Sequence, residues 1–210
     1  MKLFKYTMLV AAVCAAFTLQ SGKAGEIPFT STLDVGNSDL LNNGFLPPYG
    51  TVTVTLSGQV ATVTFQAATG YEFGDGKAVD VQVNSSDFTP AILVDADFKS
   101  FGSGQVDGFG DFNLTVSNHN FSTGFSLISF TLTNNSLTLW NSASDVLAFN
   151  SSDFDAAAHM RSTVNNPNGL TGFAGEGPGT NHTPDSGTTA ALLGLSLSGL
   201  AGLRARFGRK

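Results

Sequence analysis

Residues Thr51 to Leu56 read Thr-Val-Thr-Val-Thr-Leu. This is strict alternation of apolar and hydroxyl side chains, with Val52, Val54 and Leu56 on one face. A period of two belongs to a half-buried strand and to no helix. Its apolar face must be covered by a second layer, so the run commits this part of the chain to a β architecture. Ser57-Gly58 is a turn signal, and Ala61, Val63 and Phe65 resume the alternation. The two runs therefore read as a β-hairpin. Further strands are expected at Val79, Val81 and Val83, at Phe112, Leu114 and Val116, and at Ile128, Phe130 and Leu132. Leu137 to Trp140 and Leu170 to Ala174 read as two more. Ala91 to Val94 is a continuous apolar run of the kind buried on both faces. One stretch departs from this period. Ser142 to Met160 reads helical, with Ser144 and Ser152 as N-caps and Asn150 dividing it into two short helices.

These segments specify an all-β chain: a single β-sandwich of about seven or eight short strands with one or two short helices. The 24 glycines and 7 prolines suit such a turn-rich fold, and fifteen of the 18 phenylalanines fall between Phe29 and Phe173, enough to fill a core. The only cysteine, Cys14, lies at the N-terminal end, so the body has neither disulfide nor thiol chemistry. Charge is segregated. Between Gly25 and Gly187 three cations (Lys77, Lys99, Arg161) stand against all 16 acids. Such a body lacks the cations that displace counterions from phosphate, which argues against nucleic acid as a partner.

The two ends read as addresses. Lys2 and Lys5 precede an apolar stretch from Tyr6 to Leu19, and Gly22 and Ala24 supply small residues before a cleavage point at Ala24–Gly25. Residues 1–24 thus have the form of a secretory signal peptide. At the other end, Thr183, Pro184, Asp185, Ser186 and Gly187 are followed by sixteen uncharged residues, 188–203, and a basic tail, 204–210. As a helix the uncharged run would span about 24 Å, slightly less than a bilayer core. The basic tail would be held on the cytoplasmic side of the inner membrane. The expected organisation is a signal peptide, an extracellular domain over 25–177, a tether with sorting motif over 178–187, a transmembrane sorting helix and a cytoplasmic tail.

The order of motif, apolar helix and basic tail resembles the PEP-CTERM class of bacterial sorting signals. Thr183 to Gly187 is similar to its VPDSG-CTERM variant, with Thr183 in the place of Val. The resemblance implies an exosortase-like membrane protease or transpeptidase as partner, export, transient membrane anchoring and delivery to the cell surface or extracellular matrix. The body also resembles an uncharacterised group of exported proteins with such tails. The residues that carry this are Pro48 to Leu56, Gly70 to Gly76, Val106 to Gly110, Phe154 to His159 and Thr171 to Gly175. No activity comes with that likeness.

Three candidate sites remain in the body. Asp95, Asp97, Asp107 and Asp111, with Asp75 as a helper, are oxygen donors of the type calcium takes, or are acids used in turns. Asp155 and His159 would share a helical face at i and i+4, as two metal ligands or as a structural pair. Trp140 with Asn141, and Tyr49 or Tyr71, are candidate stacking platforms for sugars. No nucleophile elbow, HExxH or phosphate loop occurs. The expectation is a non-enzymatic surface or matrix protein with a structural or adhesive role, in contact with extracellular polysaccharide. A calcium-dependent carbohydrate-binding module is the alternative.

Overall fold

The computed structural model describes residues 27–74, 76–93, 98–118 and 124–176. The expected signal peptide, Asp75, Asp95, Asp97, and the expected tether, sorting motif and transmembrane segment lie outside the described residues. In chain order the elements are β1 (Phe29–Gly36), α1 (Ser38–Asn42), β2 (Gly50–Ser57), β3 (Val60–Ala67), β4 (Tyr71–Phe73) and β5 (Gly76–Val81). These are followed by β6 (Phe88–Ile92), β7 (Phe98–Val106), β8 (Gly110–Asn118), β9 (Leu127–Asn134), a 3-10 turn at Ala143–Asp145, β10 (Ala156–Ser162) and β11 (Thr171–Glu176).

The chain is all-β, as its alternation requires. The expected β2–β3 hairpin forms, with Val54 opposite Val63 and Ser57 opposite Val60. All strand pairs are antiparallel. They join into one open sheet in the order β6-β9-β3-β2-β1-β11-β10-β5-β8-β7, with β4 paired to β10. The hydrogen bonding thus runs through eleven strands instead of being divided between two sheets. The layering comes from curvature. From β3 to β4 the path crosses five strand spacings, about 24 Å in a flat sheet. The rings of Phe65 on β3 and Phe73 on β4 nevertheless meet edge to face with centroids 6.1 Å apart. The sheet therefore folds over, and its halves face each other across one core. That core holds Val52, Val54, Phe65 and Phe130 from one half and Val79, Val81, Leu114 and Met160 from the other. A smaller cluster on the opposite face of the sheet comprises Val106, Phe109, Phe112 and Ala157.

Three local expectations are corrected. The stretch expected to be helical holds only the 3-10 turn, and its second half is strand β10. The Ala156-Ala157-Ala158 run would favour a helix in isolation. Here it lies between β11 and β5 with cores on both faces, and small side chains fit that double burial. Leu137 to Trp140 is a loop, not a strand, because Trp140 turns inward while Leu137 is fully exposed. Ala91 to Val94 was expected to be buried on both sides, yet β6 is an edge strand of alternating half-buried and exposed residues that pairs only with β9. Pro90, which lacks an N–H, is tolerated in that position. No helix among the described residues is long and apolar enough to cross a membrane.

The fold-over makes a specific prediction. Phe65→Ala and Phe73→Ala should each destabilise the protein by about 3–5 kcal/mol, and the double variant by less than the sum. A coupling of about 0.5–1.5 kcal/mol is expected for an edge-to-face pair. It can be read from unfolding followed by fluorescence of Trp140, the one tryptophan. Additive losses would mean that the two halves do not touch at these rings.

Candidate functional site: a clamped turn and its cleft

The β7–β8 hairpin turns at Asp107, Gly108 and Phe109, and this turn lies on the outer face of β11. Two buried asparagines hold it there. Asn37, the N-cap of α1, accepts from the backbone N–H of Leu40 (3.2 Å) and of Phe173 (3.1 Å) through Oδ1. Its Nδ2 donates to Asp107 Oδ2 at 2.9 Å. One side chain thereby fastens a helix start, a strand and the turn. Asn150 acts from the other side. Its Nδ2 donates to the carbonyls of Phe109 (2.8 Å) and Asp111 (3.1 Å), and its Oδ1 accepts from the N–H groups of Ser152 (2.9 Å) and Phe154 (3.1 Å). Glycine makes the close approach possible. Gly110 has φ +85°, and a Cβ there would stand 2.4 Å from Ser152 Oγ; a Cβ on Gly175 would stand 2.5 Å from the Phe109 ring. Left-handed backbone at such a position is open to glycine and costly to other residues.

Beside the clamped turn is a cleft of about 550 Å³. Lys77, Gln105, Asp107, Ser152 and Phe173 line it, together with the backbone of Gly108 and Gly110. Lys77 Nζ donates to the Gln105 carbonyl at 3.1 Å, which leaves its other N–H bonds directed elsewhere. The Phe173 ring stacks on His159, centroids 4.7 Å apart and planes inclined at 22°.

Below the surface lie three carboxyl groups: Asp80, Asp155 and Glu176 are 0%, 2% and 0% exposed. Thr115 Oγ1 donates to Asp80 Oδ1. Burial pushes the Asp80 carboxyl up to about 7, with the Thr115 hydrogen bond and the nearby Lys77 charge opposing the rise. Asp155 is pushed up to about 9, first by burial and then by its hydrogen bond with the Glu176 carboxyl and by that group's charge. Protonated Asp155 therefore donates to Glu176.

The structure distributes the sequence candidates as follows. Asp107 lies at the cleft, and Asp111 is on β8 opposite Gln105. Asp95 and Asp97 lie outside the described residues and precede β7. Among the described residues no group of three or more His, Cys, Asp or Glu is placed to hold a metal ion. Asp155 and His159 do not share a helix; Asp155 precedes strand β10 and bonds Glu176. Trp140 is buried, with Nε1 donating to the Asn84 carbonyl at 2.9 Å. Tyr49 is buried as well, and half-buried Tyr71 meets it edge-on at 5.3 Å. Trp140 and Tyr49 therefore offer no open face to a sugar. The sequence reading missed Asn37, Asn150, Asp80, Glu176 and the cleft. The available signal was Asp80 between Val79 and Val81, a charge on the polar side of a strand that a second cluster covers.

Two predictions follow from this geometry. Asn37→Ala removes the acceptor for two N–H groups and strands Asp107. It should lower stability by about 2–4 kcal/mol, measured by denaturant unfolding, whereas loss of an ordinary surface amide would cost less than about 0.5 kcal/mol. The buried acids set a pH dependence. Both carboxyls hold protons in the folded state that an unfolded chain releases above about pH 4. Their stabilising contribution is complete below that pH. It is lost as pH rises, through about 7 for Asp80 and about 9 for Asp155. Denaturation midpoints should thus fall from pH 5 to pH 9, and Asp155→Asn should flatten the upper part of the curve. A midpoint that rises over this range would contradict the assignment.

A family model described as the VPDSG-CTERM motif matches residues 184–207. No curated protein and no solved structure matches the chain. The match begins at Pro184, one residue beyond the Thr183 departure, and covers the uncharged run and most of the basic tail. The chain thus ends in a PEP-CTERM-type sorting tail, the mark of an exported protein that an exosortase-like membrane enzyme processes.

Proposed function

We propose that this is an exported, non-catalytic protein of the cell surface or extracellular matrix. Its curled β domain performs a structural or adhesive task once the tail has been processed. The sorting tail carries the reading. The secretory form of residues 1–24 supports it from the opposite end. The body supports it in two ways. Its acid excess keeps it soluble outside the cell and repels like copies. Two of its carboxyls, Asp155 and Glu176, are hydrogen-bonded to each other inside the domain. Glycoside hydrolysis requires two carboxyls roughly 5–9.5 Å apart flanking an accessible bond, and this pair has neither the spacing nor the access.

The test is the mass of the mature protein and of its terminal peptides, recovered from the native host. An N-terminus at Gly25 and a C-terminus within Pro184–Gly187 are expected, with the protein in the surface or matrix fraction. Pro184→Ala together with Asp185→Ala should retain the chain in the membrane fraction with Lys210 present. A native protein that itself keeps Lys210 would show a permanent anchor and overturn the sorting step.

A further inference from the structure

We infer that the cleft beside the clamped turn binds a neutral sugar unit of an oligosaccharide. This deepens the adhesive reading above and rests on it. At about 550 Å³ the cleft falls within the range of small-molecule sites. Its chemistry selects the ligand class. Lys77 supplies N–H donors, exposed Gln105 an amide with both donor and acceptor, exposed Ser152 a hydroxyl, and Asp107 a carboxylate. Asn37 occupies only Oδ2 of that carboxylate, so Oδ1 can accept from the ligand. Phe173 provides an apolar wall for the C–H face of a pyranose ring.

The cation and the anion in the cleft balance. A phosphorylated or polyanionic ligand would meet Asp107 and the acidic body, with a single lysine to offset them. A lipid chain would leave four polar side chains without partners. A polyhydroxylated, uncharged molecule satisfies all of them. The walls are also fixed in advance: Asn37 and Asn150 hold the turn from both sides, so ligand binding does not have to order it.

The test uses the full chain in detergent and five tetrasaccharides: cellotetraose, maltotetraose, laminaritetraose, N-acetylated chitotetraose and tetragalacturonate. Binding is followed by titration calorimetry, and each oligosaccharide is recovered and sized afterwards. At least one neutral tetramer is expected to bind. Lys77→Ala and Ser152→Ala should each weaken it about tenfold, the effect of losing one good hydrogen bond to a ligand, with the unfolding midpoint unchanged. Leu137→Ser, on a remote loop, should leave the affinity as it was. Binding unaffected by both cleft variants would place the ligand elsewhere and overturn the assignment. Tighter binding of tetragalacturonate than of every neutral tetramer would overturn the ligand class. No binding to any of the five would overturn the site and leave the export reading standing, since that rests on the termini. A shortened oligosaccharide would overturn the non-catalytic reading, and the adhesive role with it.

Discussion

The structure depends on the tolerance of β10 for burial on both faces. Ala156, Ala157 and Ala158 are all fully buried. Ala156 and Ala158 belong to the main core and Ala157 to the second cluster. Repeated methyl side chains let packed layers approach this strand closely from both sides. Because β10 is thin, the β7–β8 hairpin can lie over its outer face. A larger residue at Ala157 would press on Phe109 and Phe112, lift the turn and open the cleft wall.

Thin packing leaves polar groups inside, and the fold treats them in two ways. Asn37 and Asn150 are neutral and well bonded, so their burial fixes the turn at little electrostatic cost. The acids are different. Asp80 has one oxygen on Thr115, while its Oδ2 and Asp155 Oδ1 have no hydrogen-bond partner among the described residues. An ionised carboxylate in such a place would be strongly disfavoured, and the raised affinity for a proton is the response. A surface rich in acids thus encloses two carboxyls, Asp80 and Asp155, with a raised affinity for a proton. They lie on the central strand β5 and at the entry to β10.

How much of this was legible depended on which face of a strand carried the information. Thr51 to Leu56 and Ala61 to Phe65 have one wet and one dry face, so alternation revealed the strands and which of their faces is buried. β10 has two dry faces and no alternation, and its alanines carried the local preference of a helix, which tertiary packing overrode. β7 reads Phe-Gly-Ser-Gly around Phe101 to Gly104, with too few side chains to show a period. The clamps were hidden for another reason. Nothing in the sequence marks Asn37 as a helix cap that also reaches Asp107, seventy residues away. The cleft combines residues of β5, β7, β11 and the 149–155 loop, a juxtaposition set by tertiary packing. The sorting motif needs no tertiary partner within the chain, and so its Pro184 to Gly187 stretch was readable from sequence.

The distribution of cations connects the body to its site. Among the described side chains there are two lysine or arginine groups, and Arg161 is held by Glu72 in a salt bridge. Lys77 is bonded to a neutral carbonyl. On a surface dominated by acids, an ammonium group paired with a carbonyl is the point of least repulsion for an electron-rich ligand. Asp107 across the cleft keeps the same point from attracting polyanions. A lone lysine on an acidic strand would serve solubility equally well. What distinguishes Lys77 is that the two facing walls of its cleft, the Asp107 turn and the Ser152 loop, are each anchored by a buried asparagine. The rigid placement of a carboxylate and a hydroxyl opposite an amine is the feature that recognition requires.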